Sequence, residues 1–204
     1  MTSLKQKPLS VAEFLAWEVA QPEKWELVDG RPVLRALRKW GRPDVAQGMA
    51  GGTVQHGVIA ANIIAALKPR LRGGPCLPVG SDVRVATSEG AVRYPDVTVD
   101  CGERAPGELL LKAPRLLFEV LSPANSFSQQ LRLLEEYQAI ASVAQIVFVA
   151  QTEPLAHVWT REGQSWRRSD HAGQDAVLAL DSIGCELPLA EVYEAVSFAP
   201  PASP

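Results

Sequence analysis

The chain has 204 residues, of which 47% are hydrophobic and 21% charged, and its formal net charge is −3. These values are typical of one globular domain with a sizeable core, and they exclude a protein that coats nucleic acid indiscriminately. No apolar run is long enough to cross a bilayer, and the N-terminus MTSLKQKPLS lacks the apolar core of a signal peptide, which predicts a cytoplasmic protein.

The first third of the chain contains two predicted helices separated by a hairpin. Ser10 and Glu13 form the capping-box pattern that opens a helix over VAEFLAWEVA, which ends before Pro22. The pair Asp29-Gly30 predicts a hairpin turn within WELVDGRPVLRAL. Glycines, a proline and polar residues over 38–52 predict a mobile loop. Thr53 then caps a second helix, VQHGVIAANIIAAL, which we expect to end at Lys68-Pro69.

The rest of the chain alternates between strands and one long helix. A tight Ser-Glu-Gly turn predicts a hairpin of strands Ser81–Thr87 and Val92–Asp100, and LLFEVL predicts the next strand. A helix follows in NSFSQQLRLLEEYQAI, with one apolar face that comprises Leu131, Leu134, Tyr137 and Ile140. The continuous apolar run QIVFVA indicates a strand that is buried on both faces.

The C-terminal part is predicted to be a meander. It comprises a hairpin around Glu162-Gly163, a strand near Val177–Leu180 and a helical turn at Ala190–Ala195. The whole order indicates an α/β fold with a mixed central sheet flanked by helices. We expect a single domain over residues 1–196 and a disordered proline-rich tail over 197–204.

The cysteines Cys76, Cys101 and Cys185 are odd in number and widely spaced. Neither the count nor the spacing matches a disulfide framework or the paired ligands of a zinc site. We therefore expect three unpaired cysteines.

Two acidic residues lie in the apolar strands at the centre of the chain. Asp96 belongs to RYPDVTVD, and Glu119 lies between Leu117 and Leu121 in LLFEVL. If the two strands are antiparallel neighbours, the carboxylates lie side by side and, at about 5 Å and an effective dielectric of about 20, repel by about 3 kcal/mol. A divalent cation would turn that repulsion into attraction. The alternative is that Asp96 begins a strand after a proline and Glu119 pairs with a core arginine.

Four motifs resemble the Uma-type branch of restriction-endonuclease-like proteins, within the PD-(D/E)XK nuclease superfamily. They are WELVDG, His56 with the helix behind it, YPDV and FEVLSP. The resemblance implies a restriction-endonuclease-like fold and a metal-dependent DNA endonuclease. It also implies Asp96, Glu119 and Glu26 as catalytic residues, Mg²⁺ or Mn²⁺ as cofactor, and Asp96, Glu119 and the carbonyl of Val120 or Leu121 as ligands.

Two of the residues with an implied role also have an ordinary structural explanation. Glu26 belongs to the WELVDG motif, but it is equally well explained as a surface residue of the hairpin. His56 belongs to the family pattern, but a histidine on the apolar side of a helix is commonly a packed, hydrogen-bonded residue. His56 is therefore an accessory candidate.

The chain departs from the family pattern on the helix after FEVLSP. There the resemblance implies an aspartate and a lysine at eight and four residues before Tyr137, but Gln129 and Leu133 occupy these positions. Arg132 is adjacent but rotated by about 100° around the helix, which makes it a poor replacement. The alternative function is therefore a catalytically inactive nuclease-like domain that binds nucleic acid or a protein partner. A different phosphoester hydrolase on the same acidic pair is the third hypothesis.

Basic residues cluster after the first hairpin. The cluster comprises Arg31, Arg35, Arg38, Lys39 and Arg42, and a second group comprises Lys68, Arg70 and Arg72. A local basic patch contacts phosphates even in a protein of negative net charge, although a solvated surface explains it equally well. We expect Arg35, Arg38 and Lys39 to bind DNA, and a homodimer, because cutting both strands takes two active sites.

Overall fold

The computed structural model describes residues 7–35, 53–122 and 125–198. Its helices are α1 (Val11–Glu18), α2 (Val54–Arg70), α3 (Phe127–Gln138) and α4 (Leu189–Val192). Its strands are β1 (Trp25–Val28), β2 (Arg31–Leu34), β3 (Leu77–Gly80), β4 (Val85–Ser88), β5 (Ala91–Arg93), β6 (Val97–Asp100), β7 (Pro114–Leu121), β8 (Gln145–Ala150), β9 (Leu155–Glu162), β10 (Ser165–Ala172), β11 (Val177–Leu180) and β12 (Cys185–Pro188). The predicted loop over 38–52 lies outside the described residues.

The N-terminal elements form as their local sequence predicts. Ser10 Oγ accepts from the backbone N–H of Glu13 at 3.2 Å, and the Glu13 carboxylate accepts from Ser10 N at 2.7 Å. Asp29 and Gly30 have φ values of 50° and 72°, as a two-residue hairpin turn requires. A Cβ on Gly30 would lie 2.4 Å from the Cβ of Pro8, so the close approach of the N-terminal segment also requires glycine there.

The central layer is a six-stranded sheet in the order β10-β9-β8-β7-β6-β3. Strands β7 and β8 are parallel and the other neighbours are antiparallel. A second sheet has four strands in the order β2-β1-β5-β4, all from the N-terminal half of the sequence. Strand β11 pairs with β12. The predicted fold class, an α/β fold with a mixed central sheet flanked by helices, is confirmed.

The two long helices pack against opposite faces of the central sheet. Ile59, Ile63 and Leu67 of α2 are fully buried against the sheet residues Val97, Val99, Leu116, Phe118 and Val120. Leu134 and Tyr137 of α3 pack instead with Leu117, Ile146 and Phe148. Because neighbouring strand residues point to opposite faces, Glu119 belongs to the face that α3 covers.

The prediction of one strand over Val92–Asp100 is wrong, because this stretch belongs to two sheets. Strand β5 ends at Arg93 in the four-stranded sheet, and β6 begins at Val97 in the central sheet. Pro95 lies between them and has no N–H to donate to a ladder, which explains why the pairing breaks there. The preceding strand is also shorter than predicted, and β3 was not predicted.

The expectation of three unpaired cysteines is wrong, because Cys76 and Cys101 form a disulfide. Leu77 of β3 is opposite Asp100 of β6, so the two cysteines are the next pair across the ladder. They lie 25 residues apart in sequence, and only the pairing of β3 with β6 brings them together. Cys185 is a free cysteine, and burial raises its pKa.

Three element predictions need smaller corrections. Helix α2 continues through Pro69 to Arg70, because a proline in the last turn removes only one backbone bond. Leu131 is 44% exposed, so the buried face of α3 is formed by Leu134 and Tyr137. The last helix is Leu189–Val192 rather than Ala190–Ala195.

The described C-terminal residues pack against the domain. Phe198 contacts Tyr193, with ring centroids 5.3 Å apart, so packing extends past the predicted boundary at residue 196. The rest of the predicted tail, 199–204, lies outside the described residues. None of the helices described here is long and apolar enough to span a membrane.

Candidate active site

The pairing of β6 with β7 brings the two acidic positions together at one end of the central sheet. Val97 is opposite Phe118, so Asp96 and Glu119 are the next residues across the same antiparallel pair. Both are buried, with 3% and 8% of their surface exposed. Burial of two neighbouring carboxylates is costly unless hydrogen bonds or a cation compensate it.

Asp96 is held by hydrogen bonds at both of its oxygens. Its Oδ2 accepts from the backbone N–H of Val120 at 2.9 Å, and a hydrogen bond of 3.1 Å joins its Oδ1 to Nε2 of His56. The side chain of Asp96 thus accepts a hydrogen bond from the backbone of Val120, the residue that follows Glu119. This arrangement fixes the aspartate to β7 and leaves little freedom for its carboxylate.

His56 lies at the start of α2, where Thr53 caps the helix. Its backbone N–H donates to Thr53 Oγ1 at 3.1 Å, and its side chain is 10% exposed. The residue is therefore packed and hydrogen-bonded, and its partner is Asp96 of the acidic pair. The structural explanation therefore holds, and the accessory role of His56 stays a prediction.

Glu119 receives a hydrogen bond from the helix on its own face of the sheet. The hydroxyl of Tyr137 donates to Glu119 Oε1 at 2.6 Å. Tyr137 is fully buried in α3. The sequence placed this tyrosine on the apolar face of the helix, but no local pattern indicated its hydrogen bond to Glu119.

A pocket beside Glu119 contains several of the other positions that the sequence singled out. It is lined by Glu26, Tyr94, Glu119, Val120, Leu121, Asn125, Gln129, Gln130 and Leu133. The structure thus brings Glu26 of the N-terminal hairpin together with Glu119. It also places Gln129 and Leu133 beside the same carboxylates.

Glu26 is buried in β1, with 4% of its surface exposed. This burial rules out a surface residue of the hairpin. Its carboxylate lies 4.0 Å from Nε of Arg93. Glu26 is therefore an internal acidic residue that lines a pocket.

Arg93 is the largest fully buried side chain in the described residues, and it is not among the residues predicted from the sequence. It donates to the carbonyl of Leu27 at 2.5 Å and to the carboxylate of Glu136 at 2.6 Å. These bonds tie the four-stranded sheet to α3. No local sequence pattern indicated that Arg93 would be buried, because its partners lie far away in the sequence.

Arg132, the accessory candidate on α3, is engaged away from the residues that line the pocket. It donates to Asp29 at 2.8 Å and to Glu136 at 3.1 Å, and its side chain is 49% exposed. These contacts connect α3 to the turn of the N-terminal hairpin. Neither of these two hydrogen bonds is to Glu119.

Gln129 and Leu133 have structural roles. Gln129 completes a capping box with Ser126, in which its backbone N–H donates to Ser126 Oγ at 3.3 Å and its Oε1 accepts from Ser126 N at 2.9 Å. Leu133 is partly buried and packs against the core on the α3 side of the sheet. The pattern Ser-x-x-Gln was the sequence signal for this cap.

Arg35 lies next to the strand break that precedes Asp96. Its guanidinium donates to the carbonyls of Tyr94 at 3.2 Å and of Ser81 at 3.3 Å, and lies 5.4 Å from the centre of the Tyr94 ring. Because Tyr94 lines the pocket, this places a positive charge near the acidic pair. Arg38 and Lys39 lie outside the described residues.

The oxygen donors at this end of the sheet suit a hard divalent cation. Magnesium is commonly bound through one or two carboxylates and keeps several waters. Asp96, Glu119 and the carbonyl of Val120 are donors of this kind. Among the residues that the structure describes, no group of three or more His, Cys, Asp or Glu is arranged to hold a metal, so the candidate ligands are two carboxylates with a carbonyl.

Two known proteins resemble this chain over most of its length. A protein of Synechocystis sp. (strain ATCC 27184 / PCC 6803 / Kazusa), "Uncharacterized protein slr1290", is 25% identical over 193 residues, which cover 93% of this chain and 94% of that protein. The crystal structure of "a putative nuclease belonging to DUF820" from Anabaena variabilis ATCC 29413 has the same fold. Its TM-score is 0.64 at 16% identity, over 91% of this chain and 97% of that one.

The sequence model of a protein family also matches most of the chain. The match covers residues 43–190, which include Asp96 and Glu119 but not Glu26. The family, Uma2, is described as "Putative restriction endonuclease". The protein therefore belongs to the Uma2 family of nuclease-like proteins.

Proposed function

We propose that the protein is a Mg²⁺-dependent DNA endonuclease with slow chemistry. The observation that carries the proposal is the placement of Asp96 and Glu119, two buried carboxylates at the same end of adjacent strands. The nuclease-like fold and family are consistent with it. The reaction is hydrolysis of a phosphodiester bond by water.

The residues divide into ligands and residues that hold the ligands. The carboxylates of Asp96 and Glu119 and the carbonyl of Val120 would hold Mg²⁺ or Mn²⁺. When bound, such an ion neutralises the acidic pair and stabilises the negative charge that develops on the phosphate. His56 and the backbone N–H of Val120 orient Asp96. Glu26 adds a second carboxylate to the pocket that Glu119 lines, as a further candidate for the catalytic site.

The proposed site is poorly equipped to accept a proton from the attacking water. The family pattern has a lysine where this chain has Leu133, and an aspartate where it has Gln129. An apolar side chain cannot orient a water or accept its proton, and general-base help of this kind is worth about 10²- to 10⁴-fold in rate. We therefore expect hydrolysis that is slow for a nuclease.

DNA is the substrate that the basic cluster favours. An acidic pocket repels phosphate, so binding requires nearby positive charge. Arg35 supplies such a charge beside Tyr94, and Arg31, Arg38 and Lys39 belong to the same cluster in the sequence. Two copies of the chain would cut the two strands of a duplex.

A nucleic-acid-binding domain without chemistry is the second candidate. It is favoured by the roles of Gln129 and Leu133, which cap α3 and pack against the core. In this case the acidic pair would bind a cation but would not support hydrolysis. Metal binding and cleavage must therefore be measured separately.

The test compares the parent protein with Asp96→Asn and with Asp100→Asn as a matched control. Asp100 is also a buried aspartate, but it lies at the other end of β6, where it accepts from Ala113 N at 2.8 Å and Gly102 N at 3.1 Å. We expect Mg²⁺ or Mn²⁺ to raise the thermal midpoint of the parent and the control, but not of Asp96→Asn.

Relaxation of supercoiled plasmid provides the second measurement. Slow nicking by the parent and the control, absent in Asp96→Asn, supports the endonuclease. Metal binding without nicking supports the second candidate. Nicking that persists in Asp96→Asn would contradict a role for the acidic pair.

A further inference from the structure

The hydrogen bond between Tyr137 and Glu119 joins a helix to a candidate metal ligand. Tyr137 is fully buried in α3, and its hydroxyl is 2.6 Å from Glu119 Oε1. Its ring packs with Leu117, Leu134 and Phe148, so the ring position is fixed by the core. A fixed ring presents its hydroxyl at a defined point above the strand.

The two carboxylates of the acidic pair are oriented from different parts of the fold. Asp96 is held through Val120 N–H of β7 and His56 of α2. Glu119 has one more rotatable bond than an aspartate, and its described contact comes from α3. The relative orientation of the two carboxylates therefore depends on α3 as well as on the sheet.

We propose that Tyr137 is a positioning residue that orients the Glu119 carboxylate for the divalent cation. The proposal rests on the proposed function, because it assigns Glu119 as a ligand. Tyr137 does not touch the substrate in this role. Partners that orient a ligating carboxylate commonly contribute 10- to 100-fold to metal affinity.

The competing explanation is that Tyr137 only satisfies a buried glutamate in the folded protein. That role predicts a loss of stability without a specific loss of metal affinity. Tyr193 provides the matched control, because it is also buried and its hydroxyl also makes hydrogen bonds within the protein. It donates to the carbonyl of Ala150 at 2.8 Å and accepts from Leu155 N at 3.2 Å, away from the acidic pair.

The experiment measures Mn²⁺ affinity by titration calorimetry on the full chain. Four proteins are compared: the parent, Tyr137→Phe, Tyr193→Phe and Asp96→Asn. We expect Tyr137→Phe to bind Mn²⁺ about 10- to 100-fold more weakly than the parent. Tyr193→Phe should keep the parent affinity, and Asp96→Asn should lose detectable binding. Thermal midpoints without metal separate affinity from stability.

A second measurement uses the parent protein and does not depend on the folding of a variant. The chain has three tyrosines, so a spectrum of ring-labelled tyrosine contains few signals to assign. Titration with Mg²⁺, which is diamagnetic, should shift the ring signals of Tyr137 more than those of Tyr193. If the metal binds and the Tyr137 signals stay unchanged, the inference is wrong.

The remaining outcomes of the titrations also test the positioning role of Tyr137. Equal affinity of the parent and Tyr137→Phe overturns the positioning role and leaves the proposed function intact. An equal loss in both tyrosine variants assigns the effect to general destabilisation and overturns it as well. Absence of binding by the parent, or binding that survives in Asp96→Asn, overturns the proposed metal site and the inference together.

Discussion

The described residues contain two tyrosine–glutamate pairs that are each joined by a hydrogen bond but differ in their surroundings. In each pair a buried phenol donates to a buried glutamate, Tyr94 to Glu18 and Tyr137 to Glu119. Glu18 also pairs with Arg84 at 2.7 Å and accepts from the backbone N–H of Trp25 at 3.2 Å. Glu119 lies instead beside Asp96, in a pocket that also contains Glu26.

The difference shows that the bond itself does not identify a functional site. A guanidinium compensates the charge of Glu18, so that pair is part of the internal structure. Burial and the Glu18 carboxylate raise the pKa of Tyr94, because both disfavour the phenolate. At Glu119 the neighbours include other carboxylates, and like charges at a pocket favour a bound cation. Four experiments test this comparison.

The largest expected effect comes from restoring charge beside Glu119. The double change Gln129→Asp with Leu133→Lys adds the two groups that the family pattern has on α3. Plasmid nicking with Mg²⁺ should rise at least about tenfold, toward the about 10²- to 10⁴-fold that general-base help supplies. The increase should vanish when Asp96→Ala is added.

Two results would contradict this account of the weak site. If Leu133 acts only as a core residue, lysine there lowers the thermal midpoint and cleavage does not increase. If the parent already cleaves at about 1 s⁻¹ or faster, as an ordinary enzyme does, another residue supplies the missing charge. The single change Gln129→Asp is the control, because aspartate in the first turn of a helix is tolerated.

The second prediction breaks the charge-compensated pair. Glu18→Gln leaves the guanidinium of Arg84, whose side chain is 17% exposed, without its carboxylate. Removal of one partner of a buried ion pair costs about 3 kcal/mol or more of unfolding free energy. The control is Glu191→Gln, which breaks the more exposed pair with Arg70 and should cost less than about 1 kcal/mol. Urea unfolding measures both, and equal costs would contradict the prediction.

The third prediction is a gain in stability rather than a loss. In metal-free buffer, Glu119→Gln should raise the unfolding free energy by about 1 kcal/mol, because it removes a repulsion with Asp96 of up to about 3 kcal/mol and weakens the hydrogen bond from Tyr137. The same change should abolish stabilisation by Mg²⁺. A loss of stability as large as that of Glu18→Gln would make the two pairs alike, and the comparison would fail.

Local patterns account for what the sequence predicted, and long-range pairing accounts for what it missed. The capping box at Ser10 and the turn at Asp29-Gly30 depend on neighbouring residues, and both formed as predicted. The acidic pair was predictable because alternation fixes which strand residues share a face. The bond between Cys76 and Cys101 depends on a strand, β3, whose sequence Leu-Pro-Val-Gly has no strand signal.

The buried Arg93 shows even more clearly that local patterns do not predict long-range contacts. By composition alone Arg93 is expected at the surface, because an isolated buried charge is very costly. Its burial is made possible by Glu136, 43 residues away on α3, and by a carbonyl of β1. No pattern near position 93 contains that information. The role of Gln129, in contrast, was readable from Ser126 three residues earlier.

The smallest expected effect concerns phosphate binding beside the acidic pair. Arg35→Gln removes a positive charge next to Tyr94, whereas Arg115→Gln removes one at the start of β7, four residues before Glu119 on the same strand. Each lost phosphate contact lowers the slope of log affinity against log salt by about 0.9. Over the range from about 50 to about 200 mM salt, this difference is worth about three- to fourfold in affinity.

Anisotropy of a labelled duplex in EDTA measures the slope for both variants, with thermal midpoints to check the fold. A lower slope for Arg35→Gln alone places DNA at the acidic end of the sheet, and the paired change Arg35→Glu with Arg38→Glu should then lower it further. An equal slope in all variants would assign Arg35 to ordinary surface, because its two backbone carbonyl bonds would then fully explain its position.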